Sequence, residues 1–167
     1  ELDGCTLECW LHGSRFDLRT GEPSGPPAIV PIAVHTVRIE GDDVLVAVRY
    51  AALNPADLSQ RAGNYPAPPG SPPDIPGIEV AGTVIACGPT ARAFAPGDRV
   101  FGIVGGGGLA ERVLVHELHV ARVPERLDEL AAAAVPEVFV TAHDAVMTQA
   151  GLRPGELLVV NGANGGV

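Results

Sequence analysis

The chain has 167 residues, 46% of them hydrophobic, and carries 11 basic against 20 acidic side chains for a net charge of −9. That apolar content supplies a folded core and rules out a disordered chain, while the acidic balance excludes a nucleic-acid surface, which needs a basic stripe. No run of about 18 apolar residues occurs, so no membrane-spanning helix is expected, and the three cysteines Cys5, Cys9 and Cys87 are too sparse for a disulfide framework and suit a reducing cytoplasm.

Residues 1–27 are loop-rich, punctuated by Gly4, Gly13, Gly21, Pro23, Gly25, Pro26 and Pro27. The β-prone residues Ile32, Val34, Val37 and Ile39, the turn Gly41-Asp42-Asp43 and the run Val44–Val48 predict a hairpin spanning Val34 to Val48. Residues 52–63 predict a short helix with Asn54 as cap and Pro55 at its first position. A proline-rich loop covers 64–77, and Ile78–Cys87 predicts a strand that Gly82 bends or bulges. A turn at Phe94–Asp98 leads into a strand through Gly102; Gly105 to Gly108 form a loop; Leu109–Val115 and Leu118–Val123 read as further strands. Residues 127–150 switch to an alanine-rich helix interrupted at Pro136. The last eleven residues, Leu157 to Val167, read as a buried strand entering a glycine-rich loop, the kind of turn whose backbone approaches a pyrophosphate.

Three blocks keep a recognisable order and spacing: Ala51–Pro66 followed by Pro76-Gly77-Ile78-Glu79-Val80-Ala81-Gly82; Pro96-Gly97-Asp98-Arg99-Val100; and Ala133–Ala142 followed by Gly151–Glu156 and the terminal loop. From about residue 44 to 167 the chain resembles the medium-chain dehydrogenase/reductase superfamily, and most closely its zinc-free quinone oxidoreductase branch. The resemblance implies a mainly β fold with some α: a GroES-like β-barrel over 44–135, then helix and the first strand of a truncated Rossmann unit over 136–167. It implies hydride transfer from NADPH to a quinone or an activated alkene. A small-molecule acceptor is the expected partner, with no nucleic acid and no membrane, and a homodimer is possible in the full-length protein. Zinc-dependent relatives place Cys where this chain has Asn54, His where it has Ile78, and a third ligand near Glu137. Asn ligates zinc poorly and Ile not at all.

By the same resemblance Asn54 and Tyr65 are the candidate catalytic residues. Asn54, Thr141, Gly162, Gly165, Gly166 and Val167 are the candidate cofactor contacts. Each of the first three positions has a plainer role available: Asn54 as a helix cap, Tyr65 as loop packing, Thr141 as helix packing. Asp57 is expected to support backbone or Arg99, and Glu79 to satisfy buried backbone or an arginine. Ser59 stands where some members carry a Tyr. Because the helix after the glycine loop and the acidic ribose ligand about 20 residues on are not in these 167 residues, the chain reads as a fragment, inactive alone.

The first 48 residues differ. Cys9-Trp10-Leu11-His12-Gly13-Ser14-Arg15-Phe16-Asp17 and the following Thr20-Gly21 resemble the C-terminal half of a Rieske-type ferredoxin, with the hairpin as its tail. That implies Cys9 and His12 as half of a [2Fe–2S] ligand set, which takes two Cys and two His, and Ser14 as a partner of a cluster sulfur. No upstream Cys-x-His is present, so a cluster is expected only if the missing ligands are supplied. An electron-transfer protein of that type, or a fusion of it with the reductase, is the alternative reading.

Overall fold

A computed structural model describes residues 2–9, 11–34 and 38–163. The chain divides into two compact units, Glu1–Arg38 and Ile39–Val167.

The first unit is built on a small antiparallel sheet, β1 (Leu2–Asp3), β2 (Thr6–Glu8) and β3 (Arg15–Asp17), in that order. Gly4, at φ +58°, turns β1 into β2, a conformation that glycine adopts without a Cβ penalty. The loop between β2 and β3 is closed by backbone bonds, with Cys9 N–H donating to the Ser14 carbonyl and Gly13 N–H to that of Cys9, both at 2.8 Å.

The second unit holds a five-stranded antiparallel sheet. Its strands are β4 (Asp43–Ala51), β5 (Glu79–Cys87), β6 (Arg99–Ile103), β7 (Arg112–His116) and β8 (Val120–Arg122), in the order β7-β4-β5-β6-β8. Alternation fixes which side is inside. Val44 and Val46 on β4, Val80 and Val84 on β5, Val100 on β6, and Val113 and Val115 on β7 are buried together as one valine-rich core. β5 is buried on both faces, because Ala81 on its other side packs with Val123, Ala132 and Ala133.

The sheet is not a closed cylinder: among the described residues β7 and β8 are edges that do not pair with each other. Yet they are joined only by the 3-10 turn Glu117–His119. A linker of that length spans at most about 14 Å, whereas the outer strands of a flat five-stranded sheet lie about 19 Å apart at the usual strand spacing. The sheet therefore curls until its edges approach, an unclosed barrel.

Two sequence expectations are corrected. The Val34–Val48 hairpin does not form: β4 pairs with β5 on one side and β7 on the other, and the described residues around 31–40 form no strand. Its Val37 lies outside the described residues. Alternating β-branched residues announce a strand but not its partner, and β4 holds the more valuable central position. The expected terminal strand is also absent. Residues 157–160 are unpaired and exposed, Leu157 at 89% and Val159 at 82%. An apolar run becomes a strand only where a neighbour accepts its backbone groups, and the described residues offer it none.

The helices follow the sequence more closely. α1 (Pro55–Arg61) has Asn54 as N-cap and Pro55 at its first position. The alanine-rich segment is cut at Pro136 into α2 (Glu129–Ala133) and α3 (Pro136–His143), followed by a π-helical stretch over Asp144–Gln149. No helix among the described residues is long and apolar enough to cross a membrane.

Candidate active site

The site is organised by buried carboxylates. Asp57, on the first turn of α1, reaches back to accept from the Asn54 backbone N–H at 2.7 Å and, through its other oxygen, from Gly77 N–H at 2.9 Å. This one side chain completes the helix cap and ties α1 to the end of the proline-rich loop. Gly77 is required there. Its φ is +106°, and a Cβ would meet the Leu109 nitrogen at 2.3 Å.

Glu79, at the start of β5, is 2% exposed. Its Oε1 accepts from Asn54 Nδ2 at 2.8 Å and its Oε2 from the Glu137 backbone N–H at 2.9 Å. Held from both sides in this way, the side chain fixes the entry of α3 against the sheet. It also fixes the Asn54 amide, with the nitrogen toward Glu79. Both carboxylates are satisfied by neutral donors; among the described residues none of the ion pairs includes Asp57, Glu79 or Glu137. Their negative charge is therefore felt nearby. Burial, then Glu79 and Asp57, push the Glu137 carboxyl above the usual glutamate range.

Beside this network lies a cavity of about 650 Å³ between β6, β8 and α3. Ile78, Phe101, Val104, Val120, Pro136 and Val140 make it predominantly apolar, and its ionisable residues are Tyr65, His119 and Glu137. Val140 is 53% exposed and Tyr65 48%, so the cavity's rim lies at the surface. A concave apolar site with a few polar groups suits a planar, weakly polar small molecule.

The sequence-derived candidates distribute unevenly. Tyr65 lines the cavity. Asn54 does not line it; it stands two hydrogen bonds behind the lining residue Glu137, through Glu79. Thr141 is exposed on α3 outside the lining. Gly162 is exposed with φ +75°, and among the described residues nothing lies within 4 Å of where a Cβ would stand. Gly165, Gly166 and Val167 lie outside the described residues. Phe101 and His119 escaped the sequence reading, since only the β6–β8 pairing brings them beside α3.

Cys9 and His12 do meet, Sγ to Nδ1 at 3.4 Å, on the exposed loop of the first unit. Two donors do not fit a [2Fe–2S] cluster, which takes four. No group of three or more His, Cys, Asp or Glu among the described residues could hold a metal ion. Ser14 is buried, and its carbonyl is engaged by Cys9 N–H.

Residues 40–125 match the alcohol dehydrogenase GroES-like domain. The chain belongs to that family, within the medium-chain dehydrogenase/reductase superfamily. Among similar proteins, Erythronolide synthase EryA2 of Saccharopolyspora erythraea is 41% identical over 129 residues, 77% of this chain and 3% of that synthase. The human Quinone oxidoreductase is 37% identical over 152 residues, 90% of this chain and 46% of the reductase. A crystal structure of an alcohol dehydrogenase superfamily protein from Novosphingobium aromaticivorans superposes with a TM-score of 0.70 at 32% identity, over 82% of this chain and 43% of that one. The chain thus spans less than half the length of the reductase it matches.

Proposed function

We propose that this GroES-like unit is the acceptor side of an oxidoreductase that passes hydride from NADPH to a quinone or an activated alkene without zinc. The observation that carries the reading is the cavity beside α3: apolar walls from β6, β8 and α3, with Tyr65 and Glu137 as polar groups. The similarity to a quinone oxidoreductase over 90% of the chain supports it.

The donor chemistry supports the metal-free part. At the positions where zinc-dependent relatives carry ligands, this chain offers the amide of Asn54, already engaged with Glu79, and the hydrocarbon of Ile78. A catalytic zinc takes three N, S or O ligands and an open position. An electrophilic acceptor needs no Lewis acid; it needs stacking, exclusion of water and a polar group at its oxygen. Ile78, Phe101 and Val140 provide the walls, Tyr65 an O–H at the rim, and Glu79 keeps α3 seated against β5. NADPH, when bound, would supply the hydride. Free Cys5, Cys9 and Cys87 accord with a reducing cytoplasm.

The test is a blocked cavity. Val140→Trp places a large ring on an exposed helix position at the rim. In the full-length protein it should raise KM for 1,2-naphthoquinone at least tenfold while melting temperature stays within a few degrees. Unchanged kinetics would place the acceptor elsewhere.

A further inference from the structure

We propose that Glu137 is a catalytic residue, the proton donor to the acceptor's oxygen in this cavity. The inference rests on the functional reading above and assigns the half of the reaction that hydride does not supply. Reducing a quinone or an enone takes two electrons and two hydrogens. The nicotinamide dinucleotide delivers both electrons with one hydrogen as hydride. The second hydrogen is a proton, and something must place it on the oxygen where negative charge develops.

Three ionisable residues line the cavity. Tyr65 is 48% exposed on the proline-rich loop, at the cavity's rim. His119 sits in the exposed 3-10 turn that joins the sheet's edges. Glu137 differs from both in how it is held. It occupies the first turn of α3, and its backbone N–H is fixed to Glu79 at 2.9 Å, which in turn holds Asn54 at 2.8 Å. Position is thereby set from β5 and α1. Burial raises its proton affinity, and the nearby Glu79 and Asp57 carboxylates add to the effect.

The step balances. The Glu137 O–H bond breaks as an O–H bond forms on the acceptor oxygen, giving hydroquinone or enol. The electron pair for that new bond comes from the oxygen, which gained charge when hydride entered the conjugated system. Glu137 is left as carboxylate and recovers its proton from solvent at the cavity's rim.

Two measurements test this. On the present chain, carbon-13 NMR of labelled glutamate carboxyls should show Glu137 titrating above ordinary glutamates, and Glu79→Gln should move it back down. In the full-length protein, kcat should fall as pH rises through that midpoint and show a solvent deuterium isotope effect. Glu137→Gln should lower kcat about 10²-fold, at the low end for general acids, and abolish both the slope and the isotope effect with KM changed less than threefold. A wild-type protein that reduces quinones while Glu137→Gln keeps the slope and the rate overturns the proton donor and leaves the proposed function standing. A wild type that reduces neither quinones nor enones overturns both.

Discussion

Replacing Asp57 by Ala probes the network at its most informative point. The side chain is 6% exposed and accepts from the Asn54 and Gly77 N–H groups. Loss of a helix-capping interaction costs about 0.5–2 kcal/mol. Leaving the buried Gly77 N–H without an acceptor costs about 1–3 kcal/mol. Some of this is returned, because the substitution removes a buried carboxylate from beside Glu137. A net loss of about 2 kcal/mol follows. At a urea slope of about 2 kcal/mol per molar, the unfolding midpoint of the GroES-like unit should drop by about 1 M. Asp57→Asn keeps one acceptor oxygen and should lose about half as much. The same experiment has a second readout, since Asp57 is one cause of the raised Glu137 titration; in Asp57→Ala that midpoint should fall. An unfolding midpoint within about 0.2 M of wild type would refute the claim that this side chain ties α1 to the loop before β5.

Two further outcomes follow from the geometry. A Cβ at Gly82 would lie 2.1 Å from the Ala47 carbonyl oxygen, whereas one at Gly97 meets nothing within 4 Å. Gly82→Ala should therefore cost about 3 kcal/mol or prevent folding, against about 1 kcal/mol of backbone strain for Gly97→Ala at φ +99°; paired thermal melts decide. In the first unit, the Arg19 guanidinium and backbone N–H hold the Asp17 carboxyl down at about 2. With its acidity increased by folding, this group favours the folded state above about pH 4, the usual aspartate range, and that contribution disappears as pH falls toward 2. Carboxyl NMR should place its midpoint near 2 and return it toward 4 in Arg19→Ala.

What the sequence disclosed was local. Asn54 followed by Pro55 marks a helix start because capping acts over three or four residues, and α1 begins there. Pro136 breaks an alanine-rich run because it lacks an N–H, and α2 and α3 divide there. Gly82 suggested a bend or bulge; the ladder does shift between Val48 and Tyr50 opposite it, and Gly82 itself stands where a Cβ would meet the Ala47 carbonyl oxygen. What stayed hidden was non-local. Nothing near Glu79 in the chain says that its partners are Asn54, 25 residues before it, and Glu137, 58 after it. Pairing was hidden for the same reason: Val44–Val48 reads as one arm of a hairpin, yet its ladder partners lie near residues 84 and 114. The run Leu157–Val160 shows the complementary limit, because hydrophobicity without a neighbouring ladder does not make a strand.

Metal-free hydride transfer at the cavity beside α3 is probed most directly by NADPH oxidation. The full-length protein is assayed with 1,2-naphthoquinone after exhaustive dialysis against a zinc chelator. Full quinone-dependent turnover is expected with less than about 0.1 zinc per chain and no gain on adding Zn²⁺, since a catalytic zinc takes three protein ligands and Ile78 cannot be one. Activity that vanishes with the chelator and returns with zinc would contradict a metal-free site.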